Sequence, residues 1–426
     1  MKSILTATLI ALCGHLAFAG VIGTNVPASP LTAARIATLP AAQQPAWKDY
    51  LERSARQLRA DQMALQVEMA VRGLSNSIVA PASRSTRSIP ADRSADWFAG
   101  AEARRITDII VSFQTPAGGW GKNMDFSNHV RESGESFAPD NSSRFVGTND
   151  YELLGEQRWS YVGTIDNGAT TTQLRFLAKV ITAGKPTATY EHAFERGVEY
   201  LLAAQNPNGG WPQVWPLQGG YHDGITYNDG AMLNVLRLLQ DVAAGGKEFS
   251  FTSHALRKRA AASVTNGMQC ILATQVIENG QRAVWCQQHD ALTLLPTSAR
   301  NYEMPSLCSG ESAGILGFLM ELPKPDSNVV AAVRGAVAWF ERTQIRDAAF
   351  RKVANEGRML VPAPGSGPLW ARYYEVGTDK PIFGDRDKSI HDVVDDISRE
   401  RRDGYAWFTD NPKDVLKRFQ KWNAAK

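Results

Sequence analysis

Three short polar runs carry side chains suited to chemistry on an anion: Thr164-Ile165-Asp166-Asn167-Gly168-Ala169-Thr170, Tyr227-Asn228-Asp229, and Ala299-Arg300-Asn301-Tyr302-Glu303-Met304-Pro305-Ser306. An arginine, two aspartates and neighbouring asparagines in Gly-rich or Pro-rich turns fit an acidic sugar better than they fit core packing. Asp166 and Asp229 each stand just before an apolar-periodic helix, where the plain structural role is an N-cap. Each also has an amide beside it, Asn167 and Asn228, so two oxygen-rich helix entries can converge on a hard cation. Calcium favours such carboxylate and amide oxygens and tolerates irregular geometry. Pro296 and Pro305 bracket Arg300 and exclude a regular helix interior there. The ordinary role of an arginine in that setting is to pin a carboxylate.

Other residues carry two readings each. His289 with Asp290 can form a conventional base pair, since histidine titrates in the useful range, or be structural. Lys122 can bind an acidic group or stay solvated. Trp120, Trp211 and Trp215 can stack on sugar rings or pack into a wall. Tyr302 can orient Arg300 or substrate, or fill core.

The elements that position these residues are mostly helical. Gln114-Thr115-Pro116-Ala117-Gly118-Gly119-Trp120 recurs as Gln205-Asn206-Pro207-Asn208-Gly209-Gly210-Trp211, each after an amphipathic stretch (97–113 and 190–204), with a looser echo from Asn279-Gly280 to Trp285. Helix, Gly-turn and indole repeated in this way predict paired helices stacked around an axis. Further helices are expected over 45–71, 167–182, 229–243, 254–274, 312–322 and 328–343. The best strand signals are 369–376 and 381–383, around a turn at Gly377 and Thr378. The expected fold is mainly α, an (α/α) barrel or toroid of helical hairpins with long loops and a short β-hairpin; a helical solenoid is the alternative.

Lys2, the apolar stretch from Ile4 to Leu16 and Ala17-Phe18-Ala19 predict a secretory signal over 1–19, too short to span a membrane, and hence a secreted or periplasmic protein. Residues 20–95 read as a flexible leader to Pro40, a helix and a linker, with a catalytic domain over 96–426. The formal charge of +3 gives no nucleic-acid or membrane footprint. Beyond the signal lie Cys270, Cys286 and Cys308, which allow one disulfide at most; Cys286 with Cys308 is the chosen pair, three reduced thiols the other reading.

The three polar runs, with Ile225-Thr226 and Trp370-Ala371-Arg372-Tyr373-Tyr374-Glu375, resemble the strings of polysaccharide lyase family 10 pectate lyases in the same order. The resemblance runs from about Asp96 to the C-terminus. It implies an (α/α)-type barrel, Ca2+ as cofactor, and β-elimination on polygalacturonate by a protein expected to act as a monomer. Position by position, Arg300 matches the family's base, Asp166, Asn167 and Asp229 match its calcium and active-site positions, and Arg372 and Arg386 resemble arginines that hold substrate carboxylates. Lys122 and Tyr302 join them as expected substrate contacts.

The chemistry can be argued without the name. Removing a galacturonate C5 proton builds charge on the adjacent carboxylate, which a bridging calcium stabilises as a Lewis acid. An arginine base has a reference pKa of about 12.5 or higher, so an alkaline optimum is expected. Two other classes stay open: a glycoside hydrolase with Asp166 and Asp229 as its carboxylates, and a non-catalytic uronate-binding module.

Overall fold

Gln114, Gln205 and Gln275 each follow the end of a helix, and each side-chain amide donates twice. One bond returns to its own turn, at the carbonyls of Gly118, Gly209 and Ala283; the other crosses to a helix of the next repeat, at Ala193, Ser263 and Ala332, all at 2.8–2.9 Å. The indoles closing these turns are fully buried and donate to carbonyls of the helix just ended, Trp120 to Ile110, Trp211 to Leu201 and Trp285 to Ile271. Glycine is required where turn meets helix: a Cβ on Gly209, at φ +91°, would lie 2.1 Å from the Asn266 carbonyl oxygen. The third, looser echo is thus a full repeat.

The computed structural model describes residues 20–83, 89–141, 147, 149–153, 159–184 and 187–424. The expected signal over 1–19 and residues 84–88 of the expected linker lie outside them. Nine of the described helices are labelled in chain order: α1 Gln44–Val71, α2 Ala101–Ser112, α3 Thr171–Ala183, α4 Ala188–Ala204, α5 Ala231–Ala244, α6 His254–Thr274, α7 Ser309–Glu321, α8 Ser327–Arg342 and α9 Pro412–Ala424. Half-exposed α2, α4, α6 and α8 neighbour one another in succession, as do the more deeply buried α3, α5 and α7, and α9 packs on α7. The mainly α expectation holds. Ring closure is not seen among the described residues, because beyond α8 the chain turns to strands instead of another helical hairpin. No described helix is long and apolar enough to cross a membrane.

The chain also forms a five-stranded antiparallel sheet. Its strands are β1 Val21–Thr24, β2 Leu307–Cys308, β3 Tyr373–Tyr374, β4 Pro381–Gly384 and β5 Ser389–His391, in the order β1-β5-β4-β3-β2. The expected hairpin is β3 with β4, paired Tyr373 to Ile382. A second hairpin, Ala348–Val353 with Gly357–Pro362, was not expected.

The N-terminal segment departs from its expected flexibility. Val21 pairs with His391 and Thr24 with Ser389, so the leader supplies the edge strand of the sheet. Helix α1 shares the main apolar core through Trp47 and Tyr50, and the Tyr50 hydroxyl donates to Ala204 O at 3.0 Å. Ala80 and Ile89, on either side of the undescribed linker residues, are buried. Apolar burial and sheet pairing dock what composition alone marks as loose.

Candidate active site

The amide N–H groups of Thr164, Thr226 and Cys308 donate to the carbonyls of Trp120, Trp211 and Trp285 at 3.0, 3.0 and 2.8 Å, so each repeat ends its turn at an equivalent point. Three residues further on lie Asn167, Asp229 and Glu311, at the entrances of α3, α5 and α7. In the first two repeats the backbone forms a tight 3-10 turn, Asp166–Gly168 and Asn228–Gly230, with Asn167 at φ +51° and Asp229 at φ +50°. Asn and Asp tolerate this left-handed conformation better than other non-glycine residues. The turns displace the helix starts: Thr170 at φ +62° delays α3 to Thr171, and neither aspartate caps its helix. Helices α4, α6 and α8 are capped by Thr187, Ser253 and Asp326, whereas α3, α5 and α7 carry no side-chain cap.

Acid and amide exchange places between the two turns. Asp166 is 1% exposed with Asn167 outside it, whereas Asn228 is buried with Asp229 outside it. The Asn228 amide donates to Asp166 Oδ1 at 3.3 Å and to Asp229 Oδ2 at 3.0 Å, tying the carboxylates together. Lys122 Nζ lies 2.5 Å from Asp166 Oδ2 and 4.2 Å above the Tyr161 ring. Burial pushes the Asp166 carboxyl upward, but the Lys122 ammonium outweighs it and holds the group below the usual carboxylate range. Asp229 moves the other way, raised by burial and then by the charges of Asp166 and Glu311. A carboxyl crowded by like charge is relieved by a cation. Among the described residues no three His, Cys, Asp or Glu side chains converge on a metal point. The oxygens nearby belong to the two carboxylates and the Asn167 and Asn228 amides, donor types that calcium takes with water or substrate oxygens completing its shell.

The arginines form the second half of the site. Arg300 grips Glu303 with two prongs, Nε to Oε2 at 2.9 Å and Nη2 to Oε1 at 2.6 Å. Arg372 Nη2 donates to Glu311 Oε1 at 2.6 Å and Gln287 Oε1 at 3.0 Å, and Arg386 Nε donates to Glu400 Oε2 at 2.8 Å. Two tyrosines join them: Arg300 and Arg386 lie 5.0 and 5.6 Å from the Tyr302 ring centroid, Arg300 and Arg372 5.7 and 4.8 Å from that of Tyr405. Burial lowers the Arg300 pKa, but Glu303 overrides it and holds the guanidinium well above its ordinary value. Arg300 Nη1 and Arg372 Nη1 make no hydrogen bond to a described residue, and Arg300 is 30% exposed, so each keeps a donor edge for an incoming carboxylate.

Residues 114–416 match the pectic acid lyase family. The chain belongs to that family. A family 10 polysaccharide lyase from Cellvibrio cellulosa is 33% identical, covering 81% of this chain and 99% of its own, with a TM-score of 0.64. A mutant family 10 polysaccharide lyase from Cellvibrio cellulosa, in complex with trigalacturonic acid, is 34% identical over 80% of this chain and 99% of its own, with a TM-score of 0.63. No curated protein matches.

In this pectic acid lyase, several residues that carried two readings take the structural one. His289 is 0% exposed, its Nδ1–H facing Leu294 O at 2.8 Å and its Nε2 accepting from Cys286 N at 3.0 Å, and burial lowers its pKa to about 4. It cannot be a base, and Asp290 bonds Arg35 instead. Trp120, Trp211 and Trp215 are buried in the wall. The Cys286–Cys308 bond is not formed: Cys286 Sγ turns to Thr297 O at 3.7 Å and Cys308 Sγ to Glu311 Oε2 at 2.5 Å. Sequence reading assigned no role to Glu303, Glu311, Gln287 or Tyr405. Glu303, three residues after Arg300, carried the one local signal.

Proposed function

We propose that this chain is an exported, calcium-dependent pectate lyase that cleaves polygalacturonate by β-elimination to unsaturated oligogalacturonides. The observation that carries the reading is the gathering of Arg300, Arg372 and Arg386 around Tyr302 and Tyr405, beside the tied carboxylates Asp166 and Asp229. The family 10 neighbour bound to trigalacturonic acid supports the same substrate class. Calcium bound by Asp166, Asp229 and Asn167 would act as a Lewis acid on a substrate carboxylate.

The protein groups divide the remaining work. Arg372 and Arg386 clamp uronate carboxylates with their guanidinium edges, and Lys122 adds a positive charge while holding Asp166 ionised. Arg300, oriented by Tyr302, takes the C5 proton; the electron pair becomes the C4–C5 double bond, the C4–O bond breaks, and the departing glycosidic oxygen is protonated by water. Before that step a proton must leave the guanidinium. Glu303 opposes the loss and the Lys122 charge favours it, so turnover is alkaline-limited.

A hydrolytic alternative uses Asp166 and Asp229 as flanking carboxylates. Both carboxylates accept from one Asn228 amide, at 3.3 and 3.0 Å, so the two readings share these groups and differ in the product they form. The test is incubation with polygalacturonate with and without a chelator. Ultraviolet absorbance from the new double bond should grow, stop with the chelator and return with calcium. New reducing ends without absorbance would establish hydrolysis, and neither signal a binding module.

A further inference from the structure

The 299–304 turn that presents Arg300 is fastened by a residue far away in the chain and outside the family match at 114–416. Asn25 Nδ2 lies 3.1 Å from Arg300 O, 2.9 Å from Asn301 O and 3.3 Å from Glu303 O, so one amide gathers three carbonyls of the turn. Asn25 is 2% exposed; among the described residues Arg300 O also accepts from Glu303 N and Glu303 O from Ala299 N, at 2.9 Å each, whereas Asn301 O takes the Asn25 amide alone. The backbone around it is held from both sides. Asn25 N donates to Lys388 O at 2.8 Å, directly after β1, and Asn25 O accepts from the Tyr151 hydroxyl at 2.8 Å. One residue later Val26 O accepts from Ser298 Oγ, just before the turn. Asn301 Nδ2 also donates to Arg386 O at 2.8 Å, which links the turn to a second arginine of the site.

We propose that Asn25 is a positioning residue for elimination: the N-terminal strand carries it beneath the Arg300 turn, where it fixes the backbone from which the guanidinium and its Glu303 partner both project. This rests on the reading of Arg300 as base. The backbone carbonyls of residues 300, 301 and 303 share one side-chain donor group, so its loss releases the Asn301 carbonyl and loosens the turn without removing any side chain that meets substrate. Misplacement of about 1 Å lowers rates on the order of 100-fold.

The test compares Asn25→Ala, Asn25→Asp and Arg300→Ala with the parent chain for kcat, KM on polygalacturonate at saturating calcium, and amide hydrogen exchange. Asn25→Ala and Asn25→Asp should lower kcat at least about tenfold with KM within about threefold. Exchange should quicken in peptides spanning 299–304 and stay unchanged in His254–Thr274. A merely structural role would change melting temperature without that selective exchange and kcat loss. If neither Asn25 variant folds, Ser298→Ala, which releases only the Val26 carbonyl, must give the same pattern at smaller size. Parent kcat and parent exchange in a folded Asn25 variant, or in Ser298→Ala when that variant stands in, overturn the proposal. Activity retained in Arg300→Ala instead overturns the base assignment on which it rests.

Discussion

Glu303 holds Arg300 through two charge-assisted hydrogen bonds at 2.6 and 2.9 Å, so the group assigned to accept a proton is clamped by the carboxylate that most favours its protonated form. Burial pushes Glu303 upward, yet Arg300 brings its pKa down to about 2, and the Tyr405 hydroxyl donates to the same carboxylate at 2.6 Å. The pair orients the guanidinium and suppresses its basicity at the same time.

Removing the Glu303 charge separates those two effects. Because Glu303 raises the Arg300 pKa, Glu303→Gln should move the alkaline midpoint of the rate profile to lower pH by about 1–3 pH units, the range for a close opposite charge. The maximal rate should fall through lost orientation. A profile measured at saturating calcium with its midpoint unmoved would show that Arg300 is not the group titrating.

Lys122 lies 2.5 Å from Asp166, the carboxylate that would also hold the proposed calcium. Replacing Lys122 by Met leaves a buried carboxylate without its ammonium, and breaking a buried pair costs about 3–5 kcal/mol. The melting temperature of Lys122→Met should fall without calcium and recover on adding it, with a larger calcium response than the parent chain. Equal responses in both would place the cation away from Asp166.

Asp223 tests the surrounding wall independently of the reaction. Burial raises its carboxyl to about 7, although the Gly219 N–H donates to it at 3.0 Å. With an unfolded-state value near 3.9, the folded chain binds the extra proton between these limits, so ionised Asp223 destabilises the fold fully above its folded pKa. That penalty fades as pH falls toward 4. Asp223→Asn should therefore melt higher than the parent at pH 8, with a free-energy gain on the order of a few kcal/mol, and lose that advantage by pH 4. A gain independent of pH would contradict the assignment.

The helical pairs were legible because each Gly-Gly-Trp turn is local: amphipathic spacing, a glycine pair and an indole announce where a helix must end. Asp166, Asp229 and Arg300 stood out because polar residues in Gly-rich or Pro-rich turns have little packing purpose. What fills their surroundings did not, since Asn25 to Asn301 and Arg372 to Glu311 join positions 276 and 61 residues apart. The exchange of buried acid and exposed amide between the two turns was hidden for another reason. Which of two adjacent side chains points inward depends on the positive φ at Asn167 and Asp229. The hairpin over 348–362 lacks regular alternation, with Arg351 and Lys352 adjacent, and so gave little strand signal.

The most direct measurement of the central claim is double-bond formation from polygalacturonate by Arg300→Ala at saturating calcium, paired with calorimetric binding of an oligogalacturonide. Loss of the base should cut the elimination rate by about 100- to 10,000-fold while binding through Arg372 and Arg386 persists. A variant that still eliminates near the parent rate would contradict the account.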